Sequence, residues 1–115
     1  MRITNELLIS QSAASSFNSQ AFSLQHLYGF AVQAAITGTA PTGTLKLQAS
    51  CDVSQKSDLS DVINWTDVPT QTQAISATGT YLFNVDAVHY PYMRLVWTFT
   101  SGTGNISARI NAKGV

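Results

Sequence analysis

The sequence has 115 residues, enough for one domain and too few for two. Apolar residues make up 44% and charged residues only 10%, with a formal net charge of zero. That leaves material for a sandwich-sized core and gives no electrostatic argument for a nucleic-acid or strongly charged partner.

In chain order, residues 10–27 are rich in Ser, Gln and Ala, with Phe17, Phe22 and Leu24 spaced for a strand or an extended arm, and residues 1–27 together are read as one segment. They are expected to form an N-terminal segment set apart from a core over residues 28–115. In "FAVQAAIT", Phe30, Val32, Ala34 and Ile36 share one face of an alternating strand. "GTAPTG" has the Gly and Pro content of a turn. "TLKLQASC" then places Leu45, Leu47, Ala49 and Cys51 on one face and Lys46, Gln48 and Ser50 on the other. A turn centred between Ala40 and Pro41 pairs Ile36 with Leu45, Ala34 with Leu47 and Val32 with Ala49. Every inward residue then meets an inward residue, and a one-residue slip would break the match.

Residues 52–64, "DVSQKSDLSDVIN", are polar and irregular and read as a loop. "NWTDVP" is a short strand with Trp65 and Val68 as anchors, and "QAISA" and "TYLFNV" are two more strands. In "YMRLVWTFT", Met93, Leu95, Trp97 and Phe99 alternate with Tyr92, Arg94, Val96 and Thr98. "SGTG" is a hairpin turn by its glycines. Centred on Gly102-Thr103, it pairs Phe99 with Ile106, Trp97 with Ala108 and Leu95 with Ile110. About eight short strands and no strong helix predict an all-β fold, an antiparallel β-sandwich or jelly roll.

Nothing in the sequence assembles a catalytic centre. Cys51, the single cysteine, lies on the apolar face of its strand and reads as a buried structural thiol. His26 and His89 stand in no ligand spacing. Asp52, Asp58, Asp61 and Asp67 match no calcium-loop pattern and read as solvated loop acids, with Asp58 or Asp61 capping a turn. No enzymatic activity, cofactor or metal is expected. A single cysteine allows no internal disulfide, "MRITNELLIS" lacks the shape of a signal peptide, and no run reaches membrane-spanning length. Synthesis in a cytoplasm, or stability drawn from assembly instead, fits these features.

Alternation places Tyr92 and Arg94 outward, beside Asn111 on the paired strand, and Tyr81 and Phe83 on the face opposite Leu82. Outward aromatics fit either a glycan platform or a protein interface, and the protein contact is the favoured reading. Phe17, Phe22, Tyr81, Phe83, Tyr92 and Arg94 are therefore the expected interface residues.

The order "TLKLQASCD … WTDVPT … GTYLFNV … YPYMRLVWTFTSGTGNISARI" resembles small β-sandwich proteins of tailed bacteriophages, over roughly residues 28–113. It is more distantly similar to discoidin-type galactose-binding sandwiches, but is shorter and lacks their flanking cysteines. The phage resemblance implies a head decoration, or cement, protein on the outer surface of the capsid, made in the bacterial host cytoplasm. Its partners would be the major capsid protein and copies of itself. The alternative is a carbohydrate-binding or adhesion module of the tail that touches a host glycan.

Overall fold

The computed structural model describes residues 2–24, 27–56, 59–86 and 88–114. The fold is all-β and antiparallel. Seven strands form one hydrogen-bonded sheet: β1 (Arg2–Ser12), β2 (Phe17–Asn18), β3 (Phe22–Ser23), β4 (Leu27–Ser50), β5 (Thr66–Ile75), β6 (Gly79–Val85) and β7 (Tyr92–Gly114).

The central ladder is β4 against β7, two long strands paired from Leu27–Gly114 to Ser50–Tyr92. This corrects both expected hairpins. Ile36 pairs with Ile106 rather than Leu45, and Leu45 pairs with Trp97. Trp97 does not face Ala108, whose partner on β4 is Ala34. "GTAPTG" and "SGTG" do not reverse the chain. They lie opposite one another and form a crease through which both strands continue.

The crease divides the sheet into two layers. The first has the order β1, β7 (103–114), β4 (27–39), β6. The second has β2 and β3, β7 (92–101), β4 (42–50), β5. Orthogonal and sandwich packings make such corners with bulges and bends in strands that switch sheets. Here three left-handed residues sit at the crease: Gly38 at φ 119° and Ala40 at 43° on β4, and Gly102 at 90° on β7. The two backbones approach so closely that a Cβ on Gly38 would collide with the Gly104 Cα.

Residues 2–24 follow β7 across the crease as well. Ala13 N–H donates to the Gly104 carbonyl (2.7 Å), and the Trp97 indole N–H donates to the Ala13 carbonyl (3.0 Å). Beyond it, Ser19 N–H donates to the Leu95 carbonyl (2.7 Å), and Leu95 N–H donates back to Ser19 Oγ (2.8 Å). The N-terminal segment thus supplies edge strands to both layers rather than a free arm.

Both layers turn their apolar rows to one core. Phe30, Val32, Ala34, Ile36, Ile106, Ala108, Ile110 and Ala112 come from the first layer, and Leu45, Leu47, Met93, Leu95 and Trp97 from the second. The inward set is even-numbered before the crease on β4 and odd-numbered after it, and β7 makes the reverse switch, from odd to even. The edges are guarded as edges of soluble sheets usually are. β1 carries a bulge between Leu7 and Ile9, and β5 leaves its register between Gln48 and Lys46, where Pro69 and a left-handed Thr70 sit.

Candidate interaction surfaces

The outer face of the second layer carries a connected polar array. The row Arg94–Gln48–Asp67 runs across three strands. Arg94 donates through Nε (2.9 Å) and Nη2 (2.7 Å) to Gln48 Oε1, and Gln48 Nε2 donates to Asp67 Oδ1 (3.0 Å). Lys46 Nζ reaches Asp67 at 3.2 Å. The Arg94 guanidinium lies over the Trp65 ring, 4.5 Å from its centroid, a cation–π contact. Hydrogen bonds from Gln48 and then Lys46 hold the Asp67 carboxyl below its ordinary pKa. Partial burial lowers the Arg94 pKa, and the side chain remains a cation.

Trp65 is placed by the loop that precedes it. Its indole N–H donates to the Val62 carbonyl (3.1 Å). Asp52 accepts from Ile63 N–H (2.8 Å), Asn64 N–H (2.9 Å) and Asn64 Nδ2 (2.9 Å), while Asp61 accepts from Ser54 Oγ (2.6 Å) and Gln55 N–H (2.7 Å). These two carboxylates organise a segment that has no ladder of its own, and the bonds lower both pKa values. Asp61, expected to cap a turn, instead reaches back to Ser54 and Gln55. Asp58 and His26 lie outside the described residues.

Of the expected interface residues, only Arg94 faces outward. Phe17 pairs with Trp97, Phe22 with Met93, Tyr81 with Ala34 and Phe83 with Val32. Each of those partners points into the core, so these aromatics do too. Phe22 and Phe83 are buried, and Phe17 and Tyr81 are half-buried against the core. On β6 it is Leu82 that faces out, at 67% exposure. Tyr92 alternates with inward Met93, yet it is buried together with its partner Ser50. On that outer side, Trp65 covers the neighbouring Arg94. Asn111, expected beside Arg94, belongs to the other layer, as does Arg109.

Cys51 is exposed, which corrects the expected buried thiol. β4 ends at Ser50, whose Oγ accepts from Asp52 N–H (3.1 Å), and alternation stops there. Cys51 lines a pocket of about 440 Å³ with Asp52, Asn64, Asp67, Val68 and Tyr90. Its two carboxylates are already committed to the loop and to Gln48 and Lys46. Among the described residues, no three His, Cys, Asp or Glu side chains converge as a metal site.

The class defined by this architecture is an antiparallel two-layered β-protein built on a creased central ladder. No protein-family model matches the sequence, and no curated protein does. Among solved structures, the SPBc2 prophage-derived protein YomS is similar, with TM-score 0.56 and 11% identity over 96% of this chain and 93% of that one. PirA is similar with TM-score 0.54 and 11% identity, over 87% and 89% of the two chains. A protein of the disulfide-linked pili of Bacillus endospore appendages aligns with TM-score 0.49 and 16% identity, over 98% and 89%. At these identities the likeness to YomS and PirA is one of fold.

Proposed function

We propose that the protein is a structural component of a tailed-bacteriophage virion, and specifically a head decoration protein that clamps major capsid subunits. The observation that carries this reading is the rigid outer face of the second layer. Arg94, stacked on Trp65 and fixed by Gln48, combines two residue types enriched at binding hot spots in an arrangement that is ordered before any partner arrives. Its Nη1 makes no hydrogen bond among the described residues, so it is free to donate to a carboxylate or carbonyl of the capsid. The fold shared with a prophage-derived protein over nearly the full length of both chains supports the phage setting. The mechanism is binding energy alone, multiplied over many copies.

The test is the copy number of the protein on purified particles, read by quantitative mass spectrometry and by cryo-electron microscopy. Hundreds of copies over capsid joints, lost on Arg94→Ala with the variant still folded, are the expected result. A handful of copies would move the protein to the tail, and none would end the virion reading.

A further inference from the structure

The outer face of the first layer contains a second, differently built feature. Along β4, Gly29 and Ala31 form a low floor one strand wide. Asn84 and Asp86 rise on the β6 side, and Asn111 and Lys113 on the β7 side. Asn84 pairs with Ala31 and Ala31 with Asn111, while Gly29 pairs with Lys113. The walls therefore stand two strand spacings apart, roughly 9–10 Å. Tyr28 closes one end, and the groove encloses about 310 Å³.

Tyr28 is there because of a bulge. Leu27 pairs with Gly114 and Gly29 with Lys113, so Tyr28 is the extra residue between them. Simple alternation would send it inward with Phe30. Instead it is 44% exposed, and re-aiming a side chain beside a site is a recurrent use of bulges. The Val88 N–H donates to the Tyr28 carbonyl (3.0 Å) and seats the segment after β6 alongside it. On the other wall, Arg109 Nε donates to Asn5 Oδ1 (3.0 Å), and Asn5 Nδ2 approaches Asn111 Oδ1 at 3.4 Å. That chain turns the Asn111 amide so that its own N–H₂ is left for the groove. The Tyr28 hydroxyl, the Asp86 carboxylate and the Lys113 ammonium make no hydrogen bond or ion pair among the described residues.

The chemistry of these groups narrows the ligand. One carboxylate opposite one ammonium gives no net field, so a phosphate or polyanion gains little and meets Asp86. A single carboxylate holds no metal ion tightly. The polar walls disfavour a purely apolar molecule. What matches is a molecule that offers hydroxyl donors to Asp86, takes donors from Asn84, Asn111 and Lys113, and lays a C–H face on the Tyr28 ring. We infer that this groove binds a neutral sugar, a hexose at the end of a glycan chain. Its volume lies at the small end of ligand pockets, which suits one ring better than an extended polysaccharide. The inference stands independently of where the protein sits on a particle.

The test is a ¹⁵N NMR titration of the full chain with the methyl glycosides of galactose, glucose and N-acetylglucosamine at millimolar concentrations. The Asn84 and Asn111 side-chain amides are expected to shift and saturate with one of the three. Tyr28→Ala and Asp86→Asn, each checked for an unchanged thermal melt, are expected to weaken binding at least tenfold. Arg94→Ala, on the other layer, is expected to leave it intact. No shift at either amide with any of the three sugars overturns the assignment. So does saturation that survives Tyr28→Ala and Asp86→Asn, or that maps to Trp65 instead.

Discussion

The two layers use the same pair of long strands and differ in what they place on each face. Inside, the first layer contributes many small residues, Ala34, Ala108 and Ala112 among them, and the second contributes Trp97, Leu45, Leu47, Met93 and Leu95. A large row against a smaller one is how facing layers interdigitate without voids. Outside, the second layer's polar groups are largely spent on each other, through Arg94, Gln48, Asp67 and Lys46. The first layer's groove groups are left unspent. The same sheet thus presents one face whose side chains are fixed in advance and one whose hydrogen-bonding capacity is still open.

Because β4, β7 and the N-terminal segment all cross the crease, the layers should unfold together, and the sharpest way to break the comparison is to injure one of them. Trp97→Ala removes the largest buried side chain and its bond to Ala13. It should cost about 3–5 kcal/mol. Native-state hydrogen exchange should then show lost protection at Val32 and Ile110 in the other layer as well as at Leu45. Loss confined to the second layer would mean that the layers are separate units.

Gly38→Ala tests the crease itself. The residue has φ 119°, and the added methyl meets the Gly104 backbone. A loss of about 2–3 kcal/mol is expected in a urea melt, while Gly79→Ala, where the nearest atoms are 3.9 Å away on the Tyr81 ring, should cost less.

A smaller effect is local and set by pH. Asp52 and Asp61 both have folded pKa values below the ordinary 3.8. Their bonds to the loop therefore contribute fully above that pH and are lost as the pH falls through the lower folded values. The amides of Ile63, Asn64 and Gln55 should lose protection in that acid window before the β4–β7 ladder does. NMR exchange rates at successive pH values read this directly. Last, Lys46→Met removes a solvent-screened ion pair to Asp67 and should leave the urea midpoint nearly unchanged.

The face assignments were legible in the sequence wherever alternation ran unbroken. Val32, Ala34, Ile36, Leu45, Leu47, Leu95, Trp97, Ile106 and Ile110 all point inward as their spacing says. The pairing was not legible, because an inward residue is satisfied by any inward partner. Ile36 against Leu45 and Ile36 against Ile106 obey the same rule, and a glycine-rich crease has the composition of a hairpin turn. Tyr81 and Phe83 turn inward, against their expected outward face: nothing local in the sequence says which side of β6 meets Val32. The groove was hidden for related reasons. A bulge decides where Tyr28 points, and Asn84 and Asn111 become neighbours only through Ala31, which stands between them.

The central ladder also governs how the chain reaches this state. Even its nearest partners, Ser50 and Tyr92, are separated by the whole 51–91 segment, and its far end joins Leu27 to Gly114. No tight turn nucleates it, so the entropy of closing a long loop is spent before any ladder bond is gained. Folding should be slow for a domain of this size, in the range of milliseconds to seconds. On the ribosome, β5 and β6 can pair with one edge of β4, but the edge that takes β7 waits until β7 has been made, and through that interval Lys46 and Pro41 stand among the few residues that discourage it from pairing with another copy.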